Sequence, residues 1–193
     1  KTTQLRALAA ELDRLGFDVV TTREPGGSEG AEAIRDLLLS GDDGRWSPRA
    51  EALLFAAARA DHVARTIRPA LAAGKWVLCD RFLDSSLAYQ GGGAGLGIDS
   101  IRALHAFGSE DFLPDRTLVL MLREHEGTGR ADARDGGTSD RIGRRSADYH
   151  LAVDRAFRQM AADDSTRVRL IDASGPAETV TARLMAELGD LLP

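Results

Sequence analysis

The sequence predicts an α/β fold, with a parallel sheet covered by helices on both faces. Three observations carry this. Short strand-like runs alternate with longer stretches of helical spacing. Those runs are continuously apolar rather than alternating, the pattern of strands buried on both faces. And 193 residues are enough for one domain with a full hydrophobic core.

Along the chain, Leu5, Leu8, Ala9, Leu12 and Leu15 fall on one face of a first helix that Gly16 can terminate. Phe17–Thr22 is a β-branched strand, and Glu29–Leu39 carries helical spacing through Ala33, Ile34, Leu37 and Leu38. Ser47 followed by Pro48 reads as N-cap and first helical position. The helical pattern continues from there to about Ala73, with a break expected near Pro69, and Gly74 ends it. Trp76–Cys79 is a second strand, and the polar pair Asp80-Arg81 follows it. Gly91–Gly97 (GGGAGLG) is expected to be a flexible loop, because no strand runs into it as a phosphate cradle would require. Arg116–Leu122 is a third strand, Ser146–Ala161 a helix, Val168–Ile171 a fourth strand and Pro176–Leu191 a closing helix. Arg123–Arg145 is rich in arginine, glycine and aspartate and has little apolar periodicity. It fits a solvated surface excursion, or a lid that brings arginines over a phosphate.

Composition narrows the function classes. The hydrophobic fraction of 43% and charged fraction of 28% are ordinary for a soluble globular protein. A net charge of −5 with no dominant basic run argues against a nucleic-acid surface. The single Cys79 excludes an internal disulfide, and no Cys/His spacing suggests zinc. No apolar run approaches the roughly 18 residues of a membrane span. The first residue is Lys rather than Met, so the natural N-terminus is expected to lie upstream.

Lys1-Thr2-Thr3-Gln4 fits the second half of a phosphate-binding loop, G-x-x-x-x-G-K-[ST], with a helix directly behind it. An amphipathic helix preceded by a chance Lys-Thr fits these residues equally well. Open parallel sheets bind ligands at the C-terminal ends of their strands. The polar clusters Arg23-Glu24-Pro25-Gly26-Gly27 and Asp80-Arg81 both fall there. An aspartate at a strand end opposite a P-loop threonine can hold Mg²⁺, directly or through water, and an arginine beside it offers a fork for phosphate oxygens. Each cluster taken singly also fits a strand-end cap with a surface salt bridge.

The ordered set of motifs resembles the thymidylate kinases (dTMP kinases) of the bacterial kind. The matching pieces run from Lys1-Thr2-Thr3-Gln4 and Thr22–Gly27 through Ile34–Leu39, Glu51–Arg59 and Asp80-Arg81-Phe82. Ser85–Gly93, Pro114–Leu118 and Asp140-Arg141-Ile142 complete the set. The resemblance implies a P-loop kinase-type three-layer sandwich with sheet order 2-3-1-4-5, in one nucleoside-monophosphate-kinase-like domain with its lid at about 123–145. It implies transfer of a phosphoryl group from ATP to dTMP, giving dTDP for dTTP synthesis, with Mg²⁺, in a cytoplasmic homodimer. No nucleic-acid or membrane partner is implied. The family's strand 1 and the glycines of its P-loop would precede Lys1, so an open slot is expected in the middle of the sheet. These residues alone are expected to be poorly stable and to bind ATP weakly.

The roles it implies are specific. Lys1 matches the phosphate-binding lysine, and Thr2 and Thr3 match the loop hydroxyls that follow it. Thr2 with Asp80 would hold Mg²⁺. Arg35 and Arg81 match the pair that grips the dTMP phosphate. Phe55 matches the aromatic stacked on thymine, and Arg59 the arginine at the base edge. Ser86, Tyr89 and Gln90 line the nucleoside pocket. In the lid, Arg130 and Arg134 match arginines that reach the transferring phosphoryl group, and Arg141 lies on the ATP side. Three departures stand out: Asp132 replaces a usual lid arginine, Met121 replaces a usual strand-end aspartate, and Glu124-His125-Glu126-Gly127 lacks an expected proline. The alternatives are a kinase for another nucleoside or nucleotide on the same fold, and a non-catalytic nucleotide-binding paralogue or inert fragment.

Overall fold

The computed structural model describes residues 2–42, 44–122, 142–143 and 145–192. Its first helix, α1 (Thr2–Arg14), runs into Gly16 at φ 92° and the strand β1 (Val19–Arg23). The strand begins two residues later than the β-branched run suggests. Phe17 donates its N–H back to Leu12 and packs its ring 5.3 Å from Trp76, so it closes the helix rather than opening the strand. Helix α2 (Glu29–Leu39) is capped by Ser28, whose hydroxyl accepts from the Ala31 N–H. Helix α3 (Pro48–His62) has Ser47 as its cap and proline in its first turn.

The long pattern after α3 breaks earlier than Pro69. Residues Val63–Ile67 form a wide turn in which the Arg68 N–H bonds to Val63 O, and α4 (Arg68–Ala72) follows. A proline ring collides with the carbonyl four residues back, here that of Arg65, and widening the preceding turn relieves the collision. Strand β2 (Trp76–Asp80) leads into α5 (Leu83–Ser86), which continues as a second wide turn over Leu87–Gly93.

This second turn corrects the expectation of a flexible glycine loop. A Cβ on Gly92 would sit 3.0 Å from the Ala156 Cβ, and one on Gly93 would sit 2.7 Å from Tyr149 Cε2. The glycines are there so that α7 (Ala147–Asp163, capped by Ser146) can approach closely. Helix α6 (Ile98–Ser109) is likewise absent from the sequence expectations, although Ile98, Ile101 and His105 are helically spaced. Strands β3 (Thr117–Met121) and β4 (Val168–Asp172) follow the expected runs. Helix α8 (Ala177–Ala186) ends five residues short of Leu191, where turns around Gly189 take over.

Strands β1 and β2 pair in parallel from Val19 opposite Trp76 to Arg23 opposite Asp80. Strands β3 and β4 pair in parallel from Thr117 opposite Val168 to Met121 opposite Asp172. Among the described residues β2 and β3 have no second strand neighbour. A cavity of about 840 Å³ lies where strand 1 of the order 2-3-1-4-5 is expected, lined by every residue of both strands. Its walls include Leu5 and Leu8 of α1, Leu184 and Leu188 at α8, and Val153 and Phe157 of α7. The core accordingly divides into two clusters. One is centred on Phe82, Leu87, Val119, Tyr149 and Val153, and the other on Leu8, Leu12, Ile171, Val180 and Leu184.

One buried cluster joins the β2 side of this cavity to the β3–β4 side. Asp84, in α5, accepts from both terminal nitrogens of Arg167 at 2.8 and 2.9 Å and from the Thr117 hydroxyl at 2.7 Å. The fork geometry ties the helix that follows β2 to the starts of both β3 and β4.

Candidate functional site

The register of β1 on β2 sets Arg23 opposite Asp80, and the Glu24 N–H bonds to Asp80 O at 2.9 Å. The two polar clusters of the sequence therefore meet at one end of one sheet. Arg81, the next residue, has φ 72°, in the left-handed region that costs a non-glycine residue on the order of 1–2 kcal/mol. The Cys79 thiol donates to the Arg81 carbonyl at 2.9 Å, and burial holds that thiol well above its ordinary pKa, so it stays protonated. The Arg81 guanidinium lies 5.0 Å above the Tyr89 ring. The turn thus throws a positive fork over an aromatic wall.

Helix α3 supplies the next wall. Glu51, Phe55 and Arg59 are four residues apart and share one face of the helix. Phe55 is half-buried and Arg59 only 3% exposed. Arg59 Nε donates to Glu24 Oε2 at 2.8 Å, its Nη2 donates to Ser86 Oγ at 2.8 Å, and its guanidinium lies 5.4 Å from the Phe82 ring. Gln90 donates to Glu51 Oε1 at 3.2 Å, while Arg145 Nη2 donates to Glu51 Oε2 at 3.0 Å and stacks over Tyr149. The Tyr149 hydroxyl donates in turn to Tyr89 O.

The glycine turn after β1 is fixed from two sides. Glu32 accepts from the Gly27 N–H at 2.9 Å and from Arg23, which together hold its carboxyl below the usual range. Arg35, half-buried, donates to Pro25 O at 2.7 Å. Arg35 is thereby tied to a turn whose backbone is already held.

With this geometry in view, the family is decided by sequence. The thymidylate kinase family's sequence pattern matches residues 1–184. The chain belongs to the thymidylate kinase family. A thymidylate kinase of Rhizorhabdus wittichii is 58% identical over the whole chain and 93% of its own length. One of Bradyrhizobium diazoefficiens is 46% identical over the whole chain and 86% of its own. The crystal structure of thymidylate kinase from Ehrlichia chaffeensis aligns with a TM-score of 0.77 at 28% identity, covering 97% of this chain and 91% of that one. The fold is therefore that of the P-loop kinases, as the sequence predicts.

Of the sequence-predicted residues, Arg59 and Ser86 are in direct contact, and so are Arg81 and Tyr89. Gln90 is buried and turned to Glu51, and Arg35 is held on the glycine turn. Thr2 and Thr3 are exposed in the first turn of α1, and their hydroxyls bond to no described residue. Lys1, Arg130, Arg134 and Arg141, like Asp132, lie outside the described residues. For Mg²⁺ the donor chemistry fits. Thr2 and Asp80 offer hard oxygens, and the Asp80 carboxylate has no ion pair or hydrogen bond among the described residues. The described residues hold no cluster of three metal-binding side chains.

Sequence reading gave no role to Glu24, His62 or Glu51, although Glu24 and Glu51 stand in motifs it singled out. All three are buried polar groups, and the partners Arg59 and His62 of Glu24, Thr22 of His62, and Gln90 and Arg145 of Glu51 lie at least 35 residues away in the chain. The signal was present for Glu24 alone, as a carboxylate at the buried end of a strand.

Proposed function

We propose that this protein transfers the γ-phosphoryl group of ATP to dTMP, giving ADP and dTDP for dTTP synthesis. Membership of the thymidylate kinase family supports the reaction. The observation that supports the site is the meeting of the β1 and β2 ends, with Glu24 after β1 on the buried Arg59 and Arg81 after β2 over Tyr89.

In this reading Arg35 and Arg81 grip the dTMP phosphate, Phe55 stacks on thymine and Arg59 donates to a base carbonyl. Ser86, Tyr89 and Gln90 line the nucleoside pocket. Lys1, Thr2 and Thr3 take the ATP phosphates at the start of α1, with Arg141 beside the nucleotide. Mg²⁺, held through Thr2 and Asp80, would neutralise charge on the ATP phosphates when bound. Arg130 and Arg134 reach the transferring group from a lid at about 123–145. The acceptor phosphate is already an anionic nucleophile, so no general base is needed. Alignment and positive charge do most of the work.

The same reading makes the protein one cytoplasmic domain that pairs with a second copy. No helix among the described residues is long and apolar enough to cross a membrane. Helices α3 and α6 pack where Gly108 meets Ala56 and Ala60, and Leu53 and Phe107 on them are 56% and 93% exposed. Light scattering should give twice the protomer mass in the native protein and a single protomer in Phe107→Asp. A native monomer would overturn the pairing.

An acceptor panel tests the reaction itself. With ATP and Mg²⁺, dTMP should be phosphorylated in preference to dUMP, thymidine and GMP. A better rate with thymidine would remove Arg35 and Arg81 from their phosphate-binding roles.

A further inference from the structure

Glu24 and His62 take no part in the steps above, yet both are buried, and His62 is 0% exposed. His62 Nδ1 lies 3.1 Å from Glu24 Oε1, and its Nε2 lies 2.7 Å from the Thr22 hydroxyl. A carboxylate only accepts, so Nδ1 carries a proton and donates to Glu24. The other carboxylate oxygen, Oε2, accepts from Arg59 Nε. A continuous chain therefore runs Thr22–His62–Glu24–Arg59–Ser86 across the end of the sheet.

The chain fixes an orientation. A guanidinium has five N–H donors in one plane. In Arg59 the Nε edge is taken by Glu24 and Nη2 by Ser86, with Phe82 against its face. Three N–H groups remain, both on Nη1 and one on Nη2; Nη1 donates to no described residue, so both of its N–H groups are available for a ligand. Glu24 alone would balance the charge. His62 settles which way the carboxylate plane faces, and so how Arg59 is turned. His62 is itself wedged, since a Cβ on Gly27 would fall 2.4 Å from its Nε2, and the Thr66 hydroxyl donates to Gly27 O.

We infer that Glu24 and His62 are positioning residues that hold the Arg59 guanidinium in place, and that selection of a base carbonyl over an exocyclic amine depends on them. This rests on reading Arg59 as the group that meets the base edge. A guanidinium has no acceptor, so a carbonyl satisfies it and an amine is left facing its donors. The penalty is enforced only while the arginine cannot turn away.

The test uses two near-isosteres at His62 in the full-length protein, with dTMP and dCMP as acceptors. Asparagine places an amide N–H near the position of Nδ1, and glutamine places one near that of Nε2. H62Q should raise KM for dTMP about tenfold and narrow the dTMP-over-dCMP preference about as much, with kcat and KM for ATP little changed. H62N, which can still donate to Glu24, should recover most of both. T22V, which removes only the outer link, should shift the preference in the same direction by less and keeps the test open if the His62 variants fail to fold. Equal preferences in H62Q, H62N, T22V and the native protein would overturn the inference. So would losses that fall equally on ATP and dTMP and track melting temperature, because a purely structural role produces those. Absence of dTMP turnover in the native protein would instead sink the reading of the site as a whole.

Discussion

Arg81→Ala is expected to lower kcat/KM for dTMP by about 10²-fold or more, with most of the loss in dTMP use. In the proposed reading the side chain removed is a fork for a dianionic phosphate, engaged in ground and transition states alike. The backbone prepares it, because the left-handed turn at φ 72° and the Tyr89 ring 5.0 Å away hold the guanidinium before any ligand arrives. Arg81→Lys keeps the charge and loses the fork, so it should recover only part of the loss. Arg134→Ala should behave differently, lowering kcat with little change in KM, because the proposed reading makes it a lid arginine, which contributes most as charge redistributes. Steady-state kinetics on both substrates separates the two patterns. An unchanged kcat in Arg134→Ala would remove that residue from catalysis.

Asp84→Ala is expected to be the most destabilising single change away from the nucleotide, at about 3–5 kcal/mol. It leaves the Arg167 charge and the Thr117 hydroxyl without their shared acceptor, and it cuts the tie from α5 to the starts of β3 and β4. Arg167 is 17% exposed at its side chain, so water recovers some of its charge and the low end of the range is expected. Asp84→Asn keeps the Thr117 bond and should cost less. Urea unfolding of the full-length protein measures both. A change below about 1 kcal/mol for Asp84→Ala would mean that α5 and the starts of β3 and β4 hold together without this cluster.

What the sequence made legible follows the range of the interactions involved. Ser28, Ser47 and Ser146 cap their helices through hydroxyls that reach three residues ahead, and such signals lie within one turn. The four strands were visible because β-branched and apolar residues cluster in each, without a break in Trp76–Cys79 and Leu118–Leu122, and their order followed from the family resemblance. Gly92 and Gly93 misled because a run of glycines looks flexible until the Ala156 and Tyr149 side chains that press on it are known. The site divides the same way. Arg81, Arg35 and Arg59 stand in recognisable motifs, while His62 acquires its meaning only from Thr22 and Glu24, 40 and 38 residues away.

The central claim is that the ends of β1 and β2 and one face of α3 form the dTMP site. A crystal structure of the full-length protein with dTMP measures this most directly. The phosphate should lie within hydrogen-bond distance, about 3 Å, of the Arg81 and Arg35 guanidinium groups. The thymine ring should stack on Phe55 with a carbonyl facing Arg59 Nη1. A dTMP bound with its phosphate away from Arg81, or with its base away from Phe55 and Arg59, would contradict the account.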